Sequence, residues 1–250
     1  MSDSLEKFEK EYAKDLILHN LGDNAIHYAN DFTVGERFYT KYKSLIQDNK
    51  KFIQGQNVVD VGSHMGHWSL LSLLDGAESC TCLEPRQEFV DGINNFAQHH
   101  QLNMRAIQGI HSDLFVHNKK YDTVLLCSMI TSIPDIFFFF LHLKKITKYV
   151  IIRHASLVDV PAEMVKVVPN MNLNQRATVD YRIKNYVPTH NDIADRNTAD
   201  ATLWWFYGTK FLQNIFEHLN YKILRFEEQK HDPSHTDPNC QYHNIVLEVN

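Results

Sequence analysis

The residues of this chain that could do chemistry gather at the ends of strand-like runs. The run "VVDV" closes on Asp60 and Val61, and Gly62, His64 and Gly66 follow before a helix-like stretch opens at Trp68. Glycines in such a turn let the backbone approach a ligand closely, since glycine takes up conformations closed to other residues. A dinucleotide loop would read G-x-G-x-x-G. Here His64 stands at the middle glycine and nothing fills the third position. The next run, "SCTCLEP", ends on Glu84. That is about 20 residues beyond the loop, the spacing at which a carboxylate accepts hydrogen bonds from ribose hydroxyls. Two further runs end in "GIHSDL" and "LLCSM". Four strand ends in a row thus offer turn glycines, a carboxylate, polar groups and small residues, which suits a nucleotide-like cofactor bound beyond the carboxyl ends of the strands.

Those ends must be held side by side. Strand-like runs at "NVVDV", "SCTCLEP", "MRAIQGI", "YDTVLLCS" and "KYVIIRHAS" alternate with helical patterns. Residues 86–100 carry Phe89, Val90, Ile93, Phe96 and Ala97 on one face, with Pro85 suited to a helix start, and the block after Pro134 reads as another helix. Near-continuous apolar strands separated by helices predict a parallel sheet covered on both faces. "YKILRFEE" and "NIVLEV", joined by a non-helical loop, predict an antiparallel hairpin at the end. The expected fold is therefore α/β: a Rossmann-like, doubly wound, mostly parallel seven-stranded sheet with a C-terminal antiparallel hairpin and an inserted cap.

Four segments are expected. Residues 1–56 form a helical and aromatic cover, with Leu5, Phe8, Tyr12 and Leu16 at helical spacing before "IHYANDFTVGERFYTKYKSLI". Residues 57–155 form the cofactor-binding core. Residues 156–203, polar and interrupted by Pro161, Pro169 and Pro188, read as the cap, because a structureless loop of that length is unusual in a compact domain. Residues 204–250 return a helix, with Phe211, Leu212, Ile215, Phe216 and Leu219 on its face, and two strands that complete the core.

Composition narrows the function. The net charge is −5 with no Lys/Arg block, which argues against a nucleic-acid ligand. "IFFFFL" at 136–141 is too short to span a bilayer, so no membrane partner is expected. The Phe137–Phe140 run reads as core, with one side able to meet a second copy in a homodimer. The polar N-terminus is unlike a signal peptide, and Cys80, Cys82, Cys127 and Cys240 contain no C-x-x-C pair, which reads as reduced thiols in a cytoplasmic protein. His231, His235, Cys240 and His243 lie near one another, but zinc patterns need tighter paired spacing, so no metal is expected.

"DVGSHMG" resembles the first motif of class I S-adenosylmethionine-dependent methyltransferases, D-x-G-x-G-x-G, and the resemblance runs from about Asn57 to the C-terminus. "GIHSDL", "YDTVLLCSMI" and "WWFYGTKFLQNIFEHLNYKILRFE" are similar to tRNA wobble-uridine carboxymethyltransferases and their small-molecule relatives, and "DVGSHMGHWSLL…CLEP" resembles FkbM-type methyltransferases without their later motif. The resemblance implies S-adenosyl-L-methionine as cofactor. Asp60, Gly62 and Gly66 would form its loop, with His64 in a glycine's place, and Glu84 would bind the ribose. Ile110 and His111 would flank the adenine, with Asp113 or backbone groups reading it, while Cys127 and Ser128 would lie under the reactive end. Where relatives show Tyr-His after the fourth strand, this chain has Thr131 and Ser132.

The expected activity is transfer of a methyl group by direct displacement to an oxygen or nitrogen of a small-molecule acceptor. Alignment is the main demand of such a step, and a hydroxyl or protonated amine also needs a base. His154, at the end of the fifth strand, is the first choice and His111 the second. Arg176, Tyr181, Arg182, Tyr186 and His190 of the cap, with Trp204 and Trp205, would enclose the acceptor. Two alternatives stay open: a catalytically silent cofactor-binding or interaction module, and an RNA methyltransferase.

Overall fold

The structure, a computed structural model, describes residues 2–30, 32–116, 119–157, 159–169, 203–229 and 240–250. Of the cap, Arg176, Tyr181, Arg182, Tyr186 and His190 lie outside these residues, as do His231 and His235.

The N-terminal apolar spacing folds as a helical run in three pieces, α1 (Asp3–Lys7), a π-helical turn (Phe8–Tyr12) and α2 (Ala13–Leu21). Leu5, Phe8 and Leu16 on its inner face are fully buried. Gly22, at φ 67° and ψ −169°, a conformation open to glycine, ends the run. The short α3 (Ile26–Asn30) and α4 (Glu36–Leu45) follow. Then the alternation begins: β1 (Asn57–Val61), α5 (His67–Leu74), β2 (Ser79–Glu84), α6 (Gln87–His99), β3 (Met104–Gln108), β4 (Thr123–Cys127), α7 (Ile136–Leu143) and β5 (Tyr149–Leu157). A pair of strands not read from the sequence comes next, β6 (Val165–Pro169) and β7 (Leu203–Tyr207), before α8 (Thr209–His218), β8 (Tyr221–Gln229) and β9 (Cys240–Val249).

The main sheet has the order β3-β2-β1-β4-β5-β9-β8. Its first five strands are parallel, and β9 runs antiparallel between β5 and β8. The expected seven-stranded sheet with its antiparallel end is therefore present. Strand order reverses between β1 and β4, which leaves a crevice at their carboxyl ends, the place where open α/β sheets bind ligands.

Each sheet face carries its own core. On one, Val59, Val124, Val150, Ile152 and Ile245 meet Phe139 and Phe140 of α7 and Leu212 and Phe216 of α8. On the other, Val58, Leu125 and Ile151 meet Leu70 and Leu71 of α5, Ile93 and Phe96 of α6, and Leu5, Phe8 and Leu16 of the N-terminal run. The aromatic segment covers this second layer. Phe8 stacks on Phe38 with ring centroids 5.4 Å apart, and Phe38 stacks on Trp68 of α5 at 4.9 Å. Cys80 and Cys82 are buried in the same core. In α7 the phenylalanine run divides: Phe139 and Phe140 go inward, while Phe137 and Phe138 face outward. Among the described residues, no helix is long and apolar enough to cross a membrane.

The pair β6/β7 sits where the cap was expected to begin and end. It is antiparallel, with Val167 opposite Trp205. The Tyr207 hydroxyl donates to the Ile133 carbonyl at 2.5 Å, which fastens β7 to the turn after β4. The register runs from Pro169 opposite Leu203 to Val165 opposite Tyr207. A strand from the expected cap and one from the expected C-terminal segment thus pair with each other. No sequence periodicity foretells that pairing.

α2 packs closely on α6 at Gly92. A β-carbon there would lie 2.6 Å from the His19 carbonyl oxygen and 2.8 Å from the Asn20 α-carbon, both backbone atoms that cannot step aside. Alanine improves helix propensity by about 1 kcal/mol, but overpacking a rigid contact costs roughly 1–3 kcal/mol. Gly92→Ala is expected to lower stability in urea denaturation despite the propensity gain. A midpoint that rises instead shows that α2 does not rest on α6.

Candidate cofactor cleft

Local chemistry builds the cleft from four strand ends. After β1 the chain turns at Gly62, whose φ is 70° and whose N–H donates to the Leu83 carbonyl at 2.8 Å. His64 follows with φ 54°, and Gly66 caps α5 at φ 81°. All three positions are left-handed, the region that disfavours side chains. His64 therefore keeps a glycine's backbone while carrying an imidazole. Its ring lies beside Phe89, with centroids 4.6 Å apart. At Gly66 a β-carbon would sit 3.3 Å from Ile93, so the turn also presses closely on α6.

Glu84 ends β2 with 1 % of its surface exposed, and both carboxylate oxygens are engaged. Oε2 accepts the His64 backbone N–H at 2.8 Å. Oε1 accepts Arg86 Nε–H at 2.7 Å, while the Arg86 guanidinium lies 4.2 Å from the Phe89 ring centroid. Parallel pairing of β1 with β2 brings these partners together, because Val61 stands opposite Leu83 and the next residues of both chains turn into the same crevice.

Gly62, His64, Glu84, Pro85, Arg86, Gly109, Ile110, His111, Met129 and Ser132 line one cleft. Its cavity volume is about 110 Å³. Of the residues expected at the cofactor, Gly62, His64, Glu84, Ile110 and His111 stand on its wall. Asp60, Gly66, Cys127 and Ser128 do not. They lie in and around the turns that shape it, and Ser128, at φ 60°, turns the chain out of β4. Arg86, Gly109 and Met129 were not singled out from the sequence. Arg86 had a usable signal in its place two residues after Glu84, but its pairing needed the helix turn and Phe89. Asp113 does not line the cleft; its Oδ2 accepts the Ile110 N–H at 2.9 Å.

His154 is not placed as its strand-end position suggested. β5 continues to Leu157 and β7 lies across it, so the imidazole is fully buried. Its Nε2–H donates to the Tyr207 carbonyl at 3.0 Å, and the ring stacks over His243 at 6.4 Å. Burial pushes its pKa down to about 4, so the ring is neutral at pH 7. It does not line the cleft. His111 does, with its ring edge-on to Phe139 at 5.9 Å. His243, from the His/Cys group weighed as a metal site, shares a 2.9 Å hydrogen bond with the Ser156 hydroxyl.

Asp60 lies beneath the loop, 1 % exposed, with Oδ2 accepting the Ser69 hydroxyl at 3.1 Å and Oδ1 closed to solvent without a hydrogen bond. Burial, reinforced by the nearby Glu84 charge, raises its pKa to about 7.

With the geometry in place, comparison with known structures defines the fold. No family model matches the chain, and comparison with curated protein sequences gives no match. Solved structures do match. The N-terminal domain of EvdMO1, crystallised with S-adenosylhomocysteine and D-fucose, aligns at a TM-score of 0.57 and 11% identity, over 86% of this chain and 82% of that one. A Listeria monocytogenes protein assigned as an S-adenosylmethionine-dependent methyltransferase aligns at 0.57 and 12%, over 85% and 97%. A Pyrococcus horikoshii protein assigned as an RNA methyltransferase aligns at 0.52 and 16%, over 84% and 83%. The fold is the Rossmann-like one that these proteins share.

The buried acid gives a signed prediction. Because Asp60 holds its proton to a higher pH in the folded chain than in the unfolded one, the native state binds more protons between about pH 4 and 7. Stability is then lost as pH rises through that window. Asp60→Asn is expected to flatten this part of the stability profile and to be the more stable protein at pH 8. Parallel wild-type and variant profiles across the window show that Asp60 titrates normally.

Proposed function

We propose that this chain is an S-adenosylmethionine-dependent methyltransferase acting by direct displacement on an oxygen or nitrogen of a small-molecule acceptor. The observation that carries the reading is the convergence of four parallel strand ends on one cleft around a buried, fully oriented Glu84. The donor set fits the cofactor. Glu84 Oε1 already accepts the Arg86 backbone N–H at 3.3 Å and its Nε–H at 2.7 Å, while Oε2 accepts the His64 N–H and keeps a lone pair for a ribose hydroxyl. Pro85 and Ile110 offer apolar surface to a base, and the left-handed turn at Gly62 and His64 brings backbone close to the remainder. The cofactor would supply an electrophilic methyl group on a sulfonium.

The chain's own part is alignment and proton removal. Arg86 and the His64 N–H hold Glu84 in one rotamer, so the cleft is organised before a ligand arrives. His111, which lines the cleft, would take a proton from a hydroxyl or a protonated amine. β7 is tied to the turn after β4; Trp205 packs against the core, and neither it nor Trp204 lines the cleft. The likeness of the motifs to tRNA wobble-uridine carboxymethyltransferases and FkbM-type enzymes points toward their small-molecule relatives, since a net charge of −5 does not suit a phosphate backbone. The free Cys80, Cys82 and Cys127 agree with a reducing, cytoplasmic setting.

Calorimetry with S-adenosylmethionine and S-adenosylhomocysteine, followed by methyl turnover across a library of hydroxyl and amine acceptors, tests the reading. Both ligands should bind, and Glu84→Ala, with its fold checked by circular dichroism, should weaken them by roughly ten- to a hundredfold, as loss of a charge-assisted hydrogen bond does. Unchanged affinity in the folded variant refutes the ribose assignment. Tight binding of a nicotinamide dinucleotide would make the protein an oxidoreductase. Binding without turnover on any acceptor would favour a silent module.

A further inference from the structure

Away from the cleft, a second group of chemically capable residues meets where α2 crosses the end of α6. Asp15 comes from α2, His99 is the last residue of α6, and His100 is its C-cap. One donor atom from each, a carboxylate oxygen and two imidazole nitrogens, lies within 4.8 Å of the other two. α6 has 13 residues, so its C-terminus stands about 20 Å from the end that meets Glu84 and Arg86. The group is separate from the cleft and does not depend on its reading.

Three features make this more than a chance meeting of polar side chains. First, His100 Nε2 is closed to solvent and faces Asp15 Oδ2 at 3.3 Å without making a hydrogen bond. A buried polar atom left so normally has a partner. Its ring is not free to turn away, being packed against Phe96 at 4.5 Å and edge-on to Tyr12 at 5.2 Å. Second, the two helices are locked by the backbone contact at Gly92, so Asp15 is presented to the histidines by a rigid frame. Third, the histidines lie at a helix C-terminus, where the unpaired carbonyls favour positive charge. His19, one turn after Asp15, closes the side of the group: its Nδ1–H donates to the Asp15 carbonyl at 2.9 Å, and its ring lies 5.8 Å from that of His99.

We propose that Asp15, His99 and His100 form a binding site for a divalent transition-metal ion of the zinc class, which pins α2 to the end of α6. Two imidazoles and one carboxylate are the donor types zinc takes, with water completing four-coordination. Magnesium and calcium call for all-oxygen sets and should not compete. His99 is exposed and His100 half-buried, so the ion can enter from solvent and small side-chain rotations can draw the donors in. The ion would staple the N-terminal cover to the core. The sequence offered no such site, since Asp15 and the two histidines are more than eighty residues apart.

The test uses the full chain without an affinity tag, stripped of metal with a chelator. Calorimetric titration with Zn²⁺ should show saturable one-to-one binding, and Co²⁺ should give the visible d–d bands of a low-coordinate site, with no response to Mg²⁺. Zn²⁺ at a hundredfold excess over its dissociation constant should raise Tm by about 5–10 °C. His99→Gln removes an exposed ligand whose ring touches only the neighbouring histidines among its aromatic contacts, and should cost at least tenfold in Zn²⁺ affinity. His100→Gln should cost more. Absence of saturable binding overturns the site. Equal affinity in His99→Gln also overturns it, because the metal is then held elsewhere, for instance by histidines of the 231–243 segment. Binding without a rise in Tm overturns the stapling role.

Discussion

A carboxylate almost closed to water must have its charge met on both oxygens, because an unpaired buried charge costs several kcal/mol. Glu84 meets this demand with the His64 backbone N–H on one side and the Arg86 guanidinium on the other. Both partners depend on the rest of the fold. The N–H is in place because β1 and β2 pair in parallel and the glycine turn folds back over the end of β2. The guanidinium is in place because Phe89, in the first turns of α6, gives it a flat surface. Strand register, turn conformation and helix packing therefore converge on one side chain, and the cleft takes its shape from that convergence.

His64 shows the same constraint from the other direction. The turn needs a left-handed residue so that its N–H reaches Glu84, and glycine would supply that conformation at least cost. A non-glycine residue there carries strain of order 1 kcal/mol or more. The chain accepts the strain and gains an imidazole on the cleft wall, beside Phe89. Such trades concentrate where a side chain has work to do.

The second sheet face explains the long N-terminal segment. β1, β4 and β5 are apolar on both sides, and α5 and α6 leave part of one side open. The helical run from Asp3 to Leu21, with α4, fills it through Leu5, Phe8, Leu16 and Tyr42. Phe8 sits at the start of a π-helical turn, a rare geometry that is found mostly as single turns inside α-helices. The buried Tyr42 hydroxyl donates to Asp75 at 2.7 Å, so the cover is also tied by a polar contact to the end of α5.

Much of this was determined by the sequence alone. Parallel strands were legible because a strand buried on both faces must be apolar throughout, and "YDTVLLC" or "KYVIIR" can be little else. Glu84 was legible because its distance from the glycine loop is set by the length of one helix and one strand, both local quantities. His64 was legible as a departure from glycine. Only the tertiary structure decided the rest. Whether His154 faced ligand or core depended on β7, a strand whose partner β6 is more than thirty residues away and which no local period announces. Arg86 gained its partner from a turn of backbone and its platform from Phe89. Asp15 met His99 and His100 because two helices cross at a glycine. Local periodicity encodes which face of an element is buried; it does not encode which distant element will lie against it, since that is settled by the packing of the whole chain.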